Sequence, residues 1–251
     1  MGFLSYLFYP WSLILQVVAI LHYIRRRPSS YWLYIIIFLG PLGALIYLVM
    51  EALPELGVFT HTVGGFSRRK RITELQGAIE DNPSAGNFEE LGEVYFEEGN
   101  FAAARQAFDK AIAARSTTPD CFYHRAICAL QLGDPAAAVQ DLEFVISKEP
   151  AHDFYRAAGL LAHACALSGQ KERAESLFER AVSASTLSET YLNFADLLAA
   201  QGRTDEARQW AQKVINKERT MPPYLRRRER PWLNRAGDML KRLSPQQQPA
   251  R

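Results

Sequence analysis

The sequence predicts an all-α fold: two long apolar segments followed by an α-solenoid of about four helix-pair repeats with capping helices. Three observations carry this. A pattern of small and apolar residues recurs at Gly99, Gly133, Gly169 and Gly202, in steps of 34, 36 and 33 residues. Between the glycines, apolar residues fall at helical and not at strand spacing. The first fifty-three residues are almost free of acids and are apolar enough to form a separate segment. A repeat of about 34 residues determines the architecture before any single residue is weighed.

Each repeat reads as helix, tight turn, helix. In the first, Phe88, Leu91, Gly92 and Tyr95 form one stripe of a helix from Ala85 to Glu98, the spacing of an amphipathic helix. Gly99 and Asn100 stop it, because both tolerate the left-handed backbone of a helix end. A second helix, Phe101 to Ala114, offers Phe101, Ala104, Phe108 and Ala111. The alanine five residues after each glycine (Ala104, Ala138, Ala174, Ala207) is small where two helices are expected to cross closely. Phe108, Leu142, Phe178 and Ala211 follow four later, then Ala111, Val145, Ala181 and Val214.

These residues resemble the tetratricopeptide repeat, whose pattern is aromatic–x2–Leu–Gly–x2–Tyr, then Gly, Ala, Phe, Ala and Pro. The first unit (85–118) matches almost throughout. The second (119–154) keeps Phe122, Ala126, Ala129, Gly133, Ala138, Leu142, Val145 and Pro150. The third (155–187) keeps Leu161, Ala162, Gly169, Ala174, Phe178 and Ala181. The fourth (188–221) keeps Tyr191, Ala195, Leu198, Gly202 and Ala207, and departs at Ala211, where the family has a larger residue. The resemblance implies a right-handed superhelix that binds polypeptides in its concave groove.

The solenoid is expected over 71–221. Arg71–Asp81 reads as a lone helix ended by Asn82-Pro83. Pro222-Pro223 closes the fourth unit. A capping helix is expected within 222–243, amphipathic from Pro231 to Leu243 through Trp232, Ala236, Met239, Leu240 and Leu243. Open-ended stacks need such caps. The polar tail 244–251 reads as disordered.

Residues 1–53 read as a transmembrane hairpin. Its spans are 4–24 and 31–53, each near the ~20 residues that cross a bilayer, joined by a loop RRRPSS. The first lacks the basic start and small-residue cleavage site of a signal peptide. Aromatics at its ends (Tyr6, Phe8, Tyr9, Trp11, Tyr23, Tyr31, Trp32, Tyr34) suit an interfacial belt. The run Gly40-Pro41-Leu42-Gly43, after an arginine loop and a tryptophan, resembles the membrane hairpin of cardiolipin synthases and related phospholipase D-type proteins. The alternative reading of that run is a kink or a close contact between the spans. No histidine is followed two residues later by lysine, so the catalytic motifs of those enzymes are absent. A linker is expected over 54–70. Basic clusters at Arg25–Arg27 and Arg68–Arg71 cannot both follow the positive-inside rule across two spans. The hairpin resemblance and three cysteines lead to an expected bacterial-type inner-membrane location with the solenoid on the cytoplasmic side.

Formal net charge is +2, unevenly placed. Residues 85–216 hold 19 acids and 12 bases; residues 217–251 hold 10 bases and 3 acids. An acidic repeat body repels phosphate, so nucleic acid is excluded as a partner. The run Arg226-Arg227-Arg228-Glu229-Arg230 has three readings: a solvated segment, an anchor on anionic lipid head groups through Arg226, Arg227, Arg228 and Arg230, or a strand of charge folded back on the acidic body.

Carried over from the family, groove positions are Glu89, Glu93, Phe96 and Glu97 in the first unit. They are Tyr123, Ile127 and Leu130 in the second, Arg156 and His163 in the third, and Leu192 and Asp196 in the fourth. One end of the groove is then acidic and its middle aromatic and apolar, which suits a peptide with basic and apolar residues. Cys121, His124 and Cys128 share a helix face at i, i+3 and i+7, a spacing that could ligate a metal; core packing is the competing reading, since buried cysteine acts as a small hydrophobe. No phosphate loop, triad or carboxylate pair appears. The expected protein is therefore a membrane-anchored, non-catalytic scaffold with no cofactor, holding an unidentified protein or peptide. The alternative is an accessory factor to phospholipid enzymes or envelope lipid handling.

Overall fold

The computed structural model describes residues 3–26, 31–48, 50 and 58–244. Among them are thirteen α-helices, one short 3-10 turn and no strand. The chain divides into two compact units, residues 1–74 and 75–251.

In the first unit, α1 (Phe3–Arg26) packs against α2 (Tyr31–Phe38) and α3 (Gly40–Tyr47). A small core forms from Ala19, Trp32, Ile36, Ala44 and Tyr47. The expected second span is not one helix. It breaks at Leu39–Gly40, where Gly40 takes φ +58° and Pro41 supplies no N–H at the start of α3, so two eight-residue helices replace one long one. The bend brings Gly43 so close to the Ile35 carbonyl that an added Cβ would collide with its oxygen. The Gly40–Gly43 run is thus a kink, and its close approach is between α3 and α2. In α1, Gln16 donates to the Ile36 carbonyl (3.3 Å) and His22 Nδ1 lies 2.9 Å from the Tyr47 hydroxyl.

No helix among the described residues is long and apolar enough to cross a membrane. This overturns the two spans, and with them the multi-pass inner-membrane location and the cytoplasmic placement of the solenoid. The likeness to a phospholipase D-type hairpin loses its support with them. Glu51 and most of the RRRPSS loop lie outside the described residues. So do Trp11 and the other early aromatics, as side chains. The segment expected as a linker is helical from Val58: α4 (Val58–Asp81) runs through it and absorbs the lone helix expected at 71–81.

The second unit is the repeat stack. The leading helices are α5 (Ala85–Glu97), α7 (Pro119–Gln131), α9 (Arg156–Leu167) and α11 (Ser188–Ala200). The trailing ones are α6 (Phe101–Ala113), α8 (Pro135–Lys148), α10 (Lys171–Ala184) and α12 (Thr204–Lys217). Each leading helix stops at its glycine, with φ between +74° and +82° at Gly99, Gly133, Gly169 and Gly202. The next N–H then closes back onto the preceding turn, as from Asn100 to the Tyr95 carbonyl (2.9 Å) and from Asp134 to Ala129 (2.8 Å). Asn100 and Asp134 also cap α6 and α8 by accepting from the N–H of Ala103 and Ala137.

All twelve repeat-core positions expected after the glycines are buried, from Ala104 and Phe108 through Ala207, Ala211 and Val214. In the fourth unit, where Ala211 is small for the family, Trp210 packs beside it on Tyr191 and Phe194, ring centroids 5.0 and 5.4 Å away. Gly92 has a packing reason of its own: a Cβ there would meet the Phe108 ring at 2.6 Å.

The capping helix α13 (Pro223–Leu243) begins eight residues before Pro231, which lies inside it. A proline within a helix costs one hydrogen bond but need not end it when the flanking turns are packed. Here Leu233, Ala236 and Met239 are buried against α12 and α11. The tail from residue 245 lies outside the described residues.

Candidate functional site

The leading helices line one open face. Six residues before each turn glycine stand Glu93, Ile127, His163 and Asp196, and all four are at least partly exposed there. Ile127, Leu130, Arg156 and His163 meet at one cavity of about 220 Å³, with Leu160 and Leu167 of α9, Glu189 and Asn193 of α11, and Trp232 and Arg235 of α13. That is below the ~300–1,000 Å³ of small-molecule sites, so the cavity is sized for a side chain.

Its charges are paired. The Arg156 guanidinium donates from Nε to Glu189 Oε2 (2.6 Å) and from Nη1 to the Tyr123 hydroxyl (3.3 Å), which in turn donates to Asp153 Oδ2 (2.6 Å). Burial works against the Arg156 charge, but the bonds to Glu189 hold its pKa above the ordinary range. Burial and the bond to Asp153 raise the Tyr123 hydroxyl, so it stays a donor. Arg235 pairs with Asp196 and donates to Asn193 Oδ1 (3.0 Å). Burial, aided by nearby Arg235, lowers the pKa of His163. The cavity thus sets the apolar side chains of Ile127, Leu130, Leu160 and Leu167 beside a polar lining in which Arg156 and Arg235 are paired with acids.

Beside it lies an open basin lined by Asp120, Tyr123, His124, Glu149, His152 and Asp153. His152 is buried, stacks edge-on to Tyr123 (4.6 Å) and lies 2.9 Å from Glu149 Oε2. The turn that carries it holds the extra residues of the 36-residue step. Asp153, Phe154 and Tyr155 take φ of 47°, 54° and 65° in succession. Left-handed backbone costs about 1–2 kcal/mol per non-glycine residue. The Tyr123–Asp153–Arg156 bonds hold the turn in place, and Phe154 is left 82 % exposed.

Towards α5 the face turns acidic. Burial and the neighbouring Asp120, Glu89, Glu90 and Glu97 raise the Glu93 carboxyl. Glu89 is partly committed, accepting from the hydroxyls of Ser116 and Thr118 (3.0 Å for the latter). Phe96 packs on His124 (4.9 Å) and Phe101.

One expected groove residue is misplaced. Leu192 is 0 % exposed and lies in the core of the stack. Tyr123 is nearly as buried and contributes through its hydroxyl. Residues missed were Asp120 and Glu189, both thirteen before their turn glycine like Arg156; that shared offset was the available signal. Trp232 and Arg235 had none, because they reach the cavity from the cap. In the Arg226–Arg230 run, Arg226, Arg227, Arg228 and Arg230 are exposed on α13, and Arg226 donates to the carbonyls of Glu218 and Met221.

Cys121 and Cys128 are buried in the α6–α7 core, where burial raises their thiols to about 11 and about 12. Such thiols are poor nucleophiles and ligands. His124 instead packs against Phe96 and Phe108. Among the described residues, no group of three or more His, Cys, Asp or Glu could hold a metal ion.

The histidines make stability depend on pH. Burial depresses both His124 and His163. On acidification through ~6.5 the unfolded chain binds protons before the folded one, so stability is complete above that pH and falls below it. Glu93 acts in the opposite sense at lower pH, since its raised carboxyl takes a proton first in the folded state. Urea midpoints should therefore fall from about pH 7 to 6, and His163→Phe should flatten that slope. A slope unchanged in the variant would count against a buried neutral His163.

Family models described as tetratricopeptide repeat match residues 72–119, 89–143 and 123–189, and a second one 187–221. No curated protein matches the chain in sequence. Among solved structures, MamA (residues 41 to the end) from Desulfovibrio magneticus RS-1 is similar at 18 % identity and TM-score 0.57, covering 68 % of this chain and 97 % of that one. YrrB, a TPR protein with an unusual peptide-binding site, is similar at 18 % identity and TM-score 0.56, covering 68 % and 87 %. TTC0263, a thermophilic TPR protein of Thermus thermophilus, reaches 17 % and 0.53, covering 74 % and 96 %. At these identities the structures share the fold. With the repeat models spanning more than half of its length, the chain belongs to the tetratricopeptide-repeat family.

Proposed function

We propose that the open face of the leading helices binds a partner polypeptide without catalysis. An apolar side chain enters the socket between Ile127, Leu130, Leu160 and Leu167, and basic residues meet Glu93, Glu97 and Asp120. The observation that carries this is the side-chain-sized cavity, with its charges already paired, beside an acidic stretch of the same face. The tetratricopeptide fold, which generally mediates protein or peptide binding, supports it, as does the peptide-binding site of YrrB.

The test is panning of a random peptide library against the full chain. Selected sequences should pair one large apolar residue with lysine or arginine a few positions away. Ile127→Ser with Leu167→Ser, both at partly or fully exposed positions, should weaken those peptides at least about tenfold, the cost of losing an apolar anchor. Peptides that bind the double variant unchanged would refute the assignment.

A further inference from the structure

We infer that the groove's occupant is the basic start of α13 from a second copy of this chain, so that copies associate head to tail. The inference rests on the groove reading above and adds the partner's identity. The charge of the second unit is split between its ends. Glu93, Glu97 and Asp120 are exposed at the first repeats. The opening of α13 exposes Arg226, Arg228 and Arg230, and Tyr224 is 75 % exposed beside them.

Within one chain these sites do not meet. The second half of α13 is committed to its own stack through Leu233, Ala236 and Met239, which holds the arginines at the far end from α5. Between two chains they are complementary in charge and in spacing. Tyr224 and Arg228 are one turn apart, about 6 Å along the helix. The socket on α7 and α9 and the acids on α5 and α7 are about one helix spacing apart, roughly 8–10 Å, and an arginine side chain covers the difference. With Tyr224 in the socket, Arg228, one turn further on the same face of α13, faces Glu93 and Asp120, and Arg226 and Arg230 add positive charge around it. The two surfaces differ, so the contact is heterologous and can propagate through further copies.

Sedimentation velocity of the full chain tests this. Apolar residues such as Leu21, Ile37 and Phe38 are exposed in the first unit and could associate on their own, but salt does not weaken apolar contacts. The proposed contact should weaken about tenfold or more between low and high salt. One variant carries Arg226→Glu, Arg228→Glu and Arg230→Glu; another carries Glu93→Lys, Glu97→Lys and Asp120→Lys. Each alone should stay monomeric where the parent associates, and mixing the two should restore association. A monomeric parent at low salt, or variants that associate like the parent, would overturn the inference, as would a mixture that stays monomeric. If the arginine variant keeps parental sedimentation but loses binding to phosphatidylserine vesicles, the helix serves a lipid surface and the inference is wrong. Library peptides that still bind at Ile127 and Leu167 would show that only this inference had failed, and not the groove reading.

Discussion

Phe178→Ala is expected to lower the free energy of unfolding by about 3–5 kcal/mol. Phe178 is 0 % exposed in α10 and stacks on Phe194 of α11, centroids 5.2 Å apart. It therefore joins the third repeat to the fourth. Removing the ring loses its transfer energy and leaves a hole that closely packed helices cannot fill. In a repeat protein each unit is stabilised mainly by its neighbours. The loss should thus also split the urea transition, with α11 to α13 unfolding first. A single transition shifted by less than about 1 kcal/mol would mean that the interface adapts around the hole.

Asp141→Ala is expected to cost about as much, by a different route. The Asp141 carboxylate is almost enclosed, and Arg125 grips it through Nε (2.8 Å) and Nη2 (2.6 Å) while Nη1 reaches Asp109 (2.8 Å). Burial disfavours the Arg125 charge, and the bonds to Asp141 and Asp109 outweigh it, holding the guanidinium above its ordinary pKa. One network thus ties α6, α7 and α8 together. Truncating Asp141 leaves a largely buried cation with only the more exposed Asp109, a loss of about 3–5 kcal/mol. Arg125→Met combined with Asp141→Leu should recover most of it, because the penalty lies in the unpaired charge. Thermal unfolding of the single and double variants checks both statements. A double variant as unstable as the single would show that the pair contributes more than the desolvation it offsets.

The repeat stack was legible because its determinants are local and recur. The glycine, the alanine five later and the larger residue four beyond recur from copy to copy, and each copy corrects the others. The groove was partly legible for the same reason: the offset that picks Glu93 also picks Ile127, His163 and Asp196, and all four lie on the open face. Leu192 shares its offset with Glu89 and Tyr123; Glu89 is half-buried, whereas Tyr123 and Leu192 are both buried, so the offset marks the groove only where the side chain is charged. Trp232 and Arg235 belong to a helix outside the repeat period, so no offset points to them. Pro231 reads as a helix start and lies within α13, since packing of Leu233, Ala236 and Met239 outweighs one lost hydrogen bond. At the N-terminal end, composition was misleading. Residues 31–53 are apolar enough for a span, but apolarity does not report continuity, and the left-handed Gly40 followed by Pro41 interrupts the helix.

The most direct test of polypeptide binding at the open face is hydrogen exchange of the full chain with and without a library-selected peptide. Binding there predicts slower exchange in α7, α9 and α11, strongest around Ile127, Leu130 and His163, with α6, α8, α10 and α12 unchanged. Protection confined to the trailing helices, or to residues 3–50, would contradict it.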